Sequence, residues 1–293
     1  MISSQNREKE PNCSRSTGFV AKTSLVLERK CLKKRLDEEI VKRQLVNSRT
    51  LAQKLILEGK VLLDGRVAIK PNEQVNDESN IQLIESQKYV SRGGFKLEFA
   101  LKEFGVDVKG KIALDIGVST GGFTDCLLQS GAKRVYAVDV GKGLISLKLR
   151  DDPRVILIEN FNARFLSSTE IKEPVDVVTI DVSFISILKI LPNIIPLLSD
   201  EGDIVSLIKP QFEGERNFLK KGVVKNKEFH TLILNNLFEG VKNLGLTIVD
   251  LTYSPIKGGE GNIEFFFHLK KKGKFVSIEN IDKIVNEAWV KAK

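Results

Sequence analysis

The chain has 293 residues, 42% of them hydrophobic, enough to bury one large core and still supply a second, smaller domain, so a single small module is excluded. Its 46 lysines and arginines outnumber 38 acidic residues, and the resulting net charge of +8 favours a polyanionic partner. Cys13, Cys31 and Cys126 show no C-x-x-C spacing, and His230 and His268 have no partner at ligand spacing, which excludes a disulfide framework and assigns no metal.

Residues 1–32 are polar and rich in Ser, Lys and Arg, without helical or alternating period, and read as a disordered leader. Import into an organelle is the secondary reading, but Glu8, Glu10 and Glu28 spoil the acid-poor signature of a transit peptide, and a cytoplasmic setting is expected. From Lys33 the pattern changes. Leu36, Ile40 and Val41, then Leu51, Ala52, Leu55 and Ile56, fit two short helices, the second starting behind Ser48. Val61-Leu62-Leu63, Asp64-Gly65 and Val67-Ala68-Ile69 predict a β-hairpin, with a further strand near Asn80 to Ile84. The unit at 33–88 carries Lys33, Lys34, Arg35, Lys42, Arg43 and Arg49 among Asp37, Glu38 and Glu39. Its run of Arg35-Leu36-Asp37, Asn47-Ser48-Arg49, Ile56 to Val61, Asp64-Gly65 and Lys70-Pro71 resembles the S-four-like RNA-binding domain. That resemblance implies that the two helices lay those basic side chains on folded RNA.

The domain at 89–293 alternates strands and helices. Strands are expected at 111–116, 134–140, 154–158, 175–182, 203–208, 247–253 and 263–269, with helices at 123–129, 184–198 and 229–244 between them. Apolar strands separated by helices mean an α/β fold, a Rossmann-like sheet of seven mostly parallel strands covered on both faces. The most apolar stretch, Val175 to Leu198, contains Asp176, Asp181, Lys189, Pro192 and Pro196, so no membrane span is expected. A final amphipathic helix follows Ser277, with Ile281, Ile284, Val285 and Ala288 along one side.

Ala113 to Phe123 reads as a strand, a glycine-rich turn and a helix start, the place where an open α/β sheet binds a nucleotide-like ligand. Gly117, Ser119, Gly121, Gly122 and Phe123 are its candidate contacts. Ser119 stands where a dinucleotide fingerprint needs glycine, and Asp115 would repel a pyrophosphate but could bond a methionine ammonium. S-adenosyl-L-methionine fits better. Asp139, ending the next strand, is expected to take the ribose hydroxyls, and Asn162 the adenine edge.

Five motifs then occur in order: Tyr89-Val90-Ser91-Arg92-Gly93-Gly94-Phe95-Lys96, Ser119 to Asp125, Asp181-Val182-Ser183-Phe184, Lys209-Pro210-Gln211-Phe212-Glu213, and Ser254-Pro255 through Gly261-Asn262-Ile263-Glu264. Together they resemble the TlyA family, whose catalytic domain is similar to the FtsJ type of RNA 2′-O-methyltransferase. The resemblance implies a catalytic tetrad at Lys96, Asp181, Lys209 and Glu264, and methyl transfer to a cytidine ribose of ribosomal RNA, in the large subunit first and the small subunit second. Lys209 is expected to act as base or oxyanion stabiliser with Asp181 as its partner, while Lys96 and Glu264 position the ribose. Arg92 is assigned to a phosphate. Two rivals are a non-catalytic RNA-binding assembly factor, against which the filled tetrad argues, and a haemolytic pore former, for which no membrane-active segment is visible.

Overall fold

The computed structural model describes residues 34–57, 59–84, 88–277 and 279–291; the leader and Lys33 lie outside the described residues. It divides into two compact units between Ser86 and Gln87. In the first, β1 (Lys34–Arg35) leads into α1 (Leu36–Lys42) and α2 (Arg49–Leu57), followed by β2 (Val61–Leu63), β3 (Arg66–Val67), β4 (Gln74–Val75) and β5 (Ile81–Leu83). Leu36, Ile40, Ala52 and Ile56 leave one face of the two helices and meet Val61, Leu63 and Ile81 in a separate small core. Asp64 and Gly65, at φ of 51° and 82°, turn β2 into β3. Two consecutive positive φ values are what a tight hairpin turn with native strand twist requires.

The second unit begins with α3 (Arg92–Phe104), then runs through β6 (Ile112–Ile116), α4 (Gly122–Gln129), β7 (Arg134–Val138), α5 (Leu147–Arg150), β8 (Val155–Ile158) and β9 (Val175–Ile180). It continues with α6 (Leu191–Ile194), β10 (Leu198–Ile208), α7 (Pro210–Glu213), β11 (Leu219–Lys220), β12 (Val223–Val224), α8 (Lys227–Asn243), β13 (Thr247–Tyr253), β14 (Phe265–Lys270) and α9 (Glu279–Lys291). Seven strands form one sheet in the order β13-β14-β10-β9-β6-β7-β8. From β10 to β8 the neighbours are parallel, and β14 is antiparallel to both β10 and β13. Strand alternation sends Leu114, Ile116, Val178 and Ile180 into one core, while Ala113 and Val177 enter the core on the opposite face.

Leaving β6, the chain builds β7 and β8 to one side and then returns to place β9 on the other. That reversal opens a crevice at the carboxyl ends of β6 and β9, where such sheets bind ligands. The helix expected at 184–198 is a difference. It is cut to a 3₁₀ turn at Ile187–Lys189 and the four residues of α6, and β10 already starts at Leu198. Pro192 can sit in a first helical turn, but Pro196 lacks the N–H that would continue one.

Candidate active site

The crevice is built by close backbone approach. Gly117 has φ +85°, and a Cβ there would stand 2.3 Å from the carbonyl oxygen of Asp181, so only glycine lets the ends of β6 and β9 come together. A cavity of about 390 Å³ opens beside them, with Gly117, Ser119, Asp139, Asn162 and Asp181 on its wall and Ile116, Val138 and Phe161 as apolar surface. The Asp139 carboxylate accepts Ser119 N–H and Gly141 N–H, each at 2.7 Å, which fixes its plane. Each oxygen keeps lone-pair capacity for a hydroxyl. Asn162 accepts Arg164 N–H at 3.0 Å through Oδ1, which presents its amide nitrogen to other acceptors. A mostly apolar cavity of this size with a few fixed polar groups suits a nucleoside-bearing cofactor.

Four expected contacts lie off this cavity: Gly122 and Phe123 border only its neighbour, and two border neither. Gly121, at φ +97°, is the N-cap of α4 and borders neither this cavity nor its neighbour. Asp115 needs correction. It is fully buried, accepts Thr124 Oγ1 at 2.6 Å and Thr179 Oγ1 at 2.8 Å, and lines neither of the two cavities, so its carboxylate is spent on the fold. Burial pushes its pKa up to about 6, against the two threonine hydrogen bonds.

A second cavity, of about 260 Å³, shares Gly117, Ser119 and Asp181 with the first and adds Ser91, Arg92, Lys96, Gly122, Phe123 and Gly258. Asp181 therefore stands where the two meet. Lys209 Nζ lies 2.6 Å from Asp181 Oδ1, an ion contact outside hydrogen-bond angles, and donates to Ser183 Oγ at 3.1 Å. Lys96 Nζ donates to Glu264 Oε2 at 2.5 Å, with Glu264 only 2% exposed. Burial raises the Glu264 pKa while Lys96 opposes the shift, and the charges of Asp181 and Lys209 also reach it, so the two ion pairs form one cluster. A Cβ on Gly258 would lie 1.9 Å from Glu264 Oε1, so that loop closes over the carboxylate only because the residue is glycine.

Three residues carry the sequence elements into place. Lys96 comes from α3, which Leu97, Ala100 and Leu101 anchor with a buried stripe alongside it. Asp181 follows the last residue of β9 and Lys209 the last of β10, side by side because those strands pair in parallel. The structure gives parts to Ser183 and Phe184, which the sequence placed in the motif after Asp181 without a role, Phe184 at the start of a helix that does not form there. Phe184 holds φ +64°, is 88% exposed, and its ring centroid lies 4.6 Å from that of Phe212. An exposed aromatic in a strained backbone is costly unless it meets a partner.

In the first unit the basic residues are largely tied inward. Arg35 and Arg49 both bond buried Asp37, joined by Gln53 at 2.8 Å. Burial would raise the Asp37 carboxyl, but Arg35, Gln53 and Arg49 hold it well below the usual carboxylate range. Arg43 spends its guanidinium on Glu39 and on the carbonyls of Ser79 and Asn76, a role in holding the unit together. Lys34 pairs with Asp77 and Glu39, and Lys42 is exposed.

Comparison with known proteins decides the family. Residues 89–271 match the model of the FtsJ-like methyltransferases, and residues 34–81 match that of the S4 domain. This chain belongs to the FtsJ-like methyltransferase family. Among its relatives, Hemolysin A of Brachyspira hyodysenteriae is 46% identical over 80% of this chain and 98% of its own length. The 16S/23S rRNA (cytidine-2′-O)-methyltransferase TlyA of Mycobacterium tuberculosis is 39% identical over 87% of this chain and 96% of its own. A solved structure of a hemolysin-type protein from Streptococcus thermophilus superposes with a TM-score of 0.69 at 39% identity, covering 88% of this chain and 96% of that one. The FtsJ-like unit thus carries the seven-stranded sheet and all four tetrad positions, and the S4 unit precedes it.

Proposed function

We propose that this FtsJ-like methyltransferase transfers a methyl group from S-adenosyl-L-methionine to the 2′-hydroxyl of a cytidine in ribosomal RNA, with the large subunit as first target. One observation carries the reading: Asp181, ion-paired to Lys209, stands at the junction of two cavities, and the Lys96–Glu264 pair belongs to the same charge cluster. The larger cavity suits the cofactor and the smaller a ribose. Mycobacterium tuberculosis TlyA, with its cytidine-2′-O activity, is a relative over nearly its whole length.

Gly117, Asp139 and Asn162 would hold the cofactor, which supplies an electrophilic methyl group on a sulfonium. Lys209 is the residue to handle the hydroxyl proton at Nζ. Its amine is aimed by Asp181 on one side and Ser183 on the other, which places it without reorganisation at the moment of reaction. Lys96 on the cavity wall holds the ribose as donor, Glu264 behind it fixes the lysine, and Arg92, also on that wall, takes a phosphate. A ribose inside a helix cannot enter so small a cavity, so the nucleotide is extruded, and exposed Phe184 offers a face on which a base can stack. Several relatives carry a hemolysin name; among the described residues no helix is long and apolar enough to cross a membrane.

The test is mapping of ribose methylation on unmodified ribosomal subunits incubated with the protein and S-adenosyl-L-methionine. Methylation of a discrete cytidine is expected, and Lys209→Ala should lower the rate by about 10²-fold or more with RNA affinity retained. Full activity of that variant would sink the assignment of Lys209.

A further inference from the structure

Between α7 and α8 lies a segment to which the mechanism gives no role. Strands β11 and β12 pair Leu219 with Val224 and Lys220 with Val223, and the turn Lys221–Gly222 has φ of 53° and 76°. A short, tightly closed hairpin is the result. Within it and its flanks stand Arg216, Lys220, Lys221, Lys225 and Lys227, all exposed except the half-buried Lys227. Among the described residues none of these five makes an ion pair or a side-chain hydrogen bond. Of the acids around it, Glu213 is turned inward to Ile187 N–H and Glu215 accepts from Asn217, while Glu228 and Glu260 are exposed and pair with none of the five, so the cations remain in excess. Arg35, Arg43 and Arg49 of the first unit differ, since each bonds a buried carboxylate. Five unpaired cations within twelve residues repel one another, and a polyanion laid along them removes that cost.

The hairpin is also fixed beside the reaction centre. Arg216, Leu219 and Gly222 form one side of a cavity of about 610 Å³, and Phe184, which also borders the cofactor cavity, belongs to its wall. Buried Asn262 clamps the hairpin tip. Its Nδ2 donates to the carbonyls of Gly222 at 3.1 Å and Gly259 at 3.0 Å, and its Oδ1 accepts Val224 N–H at 3.2 Å. Asn262 lies two residues before Glu264, so one short loop carries both the clamp and a tetrad carboxylate.

We infer that this hairpin is a phosphate-binding element of the catalytic unit, gripping the RNA strand beside the target ribose, with its register to the tetrad set by Asn262. The inference rests on the RNA substrate proposed above. Each phosphate contact on a single strand adds about 0.7 to the slope of log affinity against log salt concentration. The full-length triple variant Lys220→Gln, Lys221→Gln, Lys225→Gln should therefore bind protein-free large-subunit ribosomal RNA with a slope shallower by about 2. Its affinity for S-adenosyl-L-methionine should be unchanged, which shows that the fold is intact, and the matching Lys→Arg triple variant should restore the slope. An unaltered slope in the glutamine variant, with the wild type still methylating RNA, would overturn the hairpin's role. A wild type that neither binds nor methylates ribosomal RNA would overturn the proposed function, and this inference with it.

Discussion

Asp115 holds its carboxylate where no solvent reaches it, between the hydroxyls of Thr124 on α4 and Thr179 on β9. It therefore ties the helix after the glycine turn to the two strands whose ends form the crevice. Its folded pKa of about 6 stands above the ordinary 3.8, so the fold binds this proton more tightly than the unfolded chain does. The stabilisation from this group is complete below pH 3.8 and is lost as pH rises through about 6. Asp115→Asn should flatten that part of the profile when thermal unfolding is followed between those pH values. Cofactor affinity should stay within about threefold of wild type, whereas loss of a charged contact would cost roughly tenfold or more. Isothermal titration separates these outcomes, and a large loss of affinity with an unchanged pH profile would return Asp115 to the cofactor.

Elements show how a short loop can serve two sites. The Gly258–Glu264 loop folds over the Glu264 carboxylate and, through Asn262, over the hairpin β11–β12. Asn262→Ala would leave the buried Val224 N–H without its partner, at about 1–3 kcal/mol, and would release the hairpin tip at the Gly222 carbonyl. The expected result is a melting temperature lower by about 2–4 °C per kcal/mol lost, with reduced turnover at saturating RNA and unchanged cofactor affinity. Turnover equal to wild type would show that the hairpin and Glu264 are positioned independently. Helix α3 presents the other half of the pair: Leu97, Ala100 and Leu101 anchor it, and Gly105 at φ +64° closes it. Such a stripe leaves a trace in the sequence, because a helix packed on a core repeats every 3.6 residues, as that of α8 within the expected 229–244 did. Hairpin β11–β12 leaves none, because two-residue strands have no period to read, and its stability comes from Asn262, about forty residues away.

At the scale of the molecule, the two units bury separate cores, Leu36, Ile40 and Ile56 in the first and the two faces of the sheet in the second. Each has the core of its own that independent folding requires. A chain lacking residues 1–86 should bind S-adenosyl-L-methionine as the full chain does and lose at least roughly tenfold in RNA affinity, measured by filter binding. RNA affinity equal to that of the full chain would remove the first unit from recognition.

Sequence alone determined the α/β class and the seven strands, because strand and helix periods are local properties of the chain. It also located the glycine turn after β6, since a glycine that must pass another backbone leaves its mark in composition. Only the tertiary structure decided which charges meet. Lys96 and Glu264 are 168 residues apart and pair at 2.5 Å. Asp115 and Asp181, each placed just before or after a strand end, face opposite fates, one sealed against two threonines and one at the junction of two cavities. Arg43 and Lys221 are both cations in basic stretches, yet the first is spent on its own fold and the second is free for a partner. A charge's role depends on what the fold brings within a few ångströms of it, and that neighbourhood is assembled from distant parts of the chain.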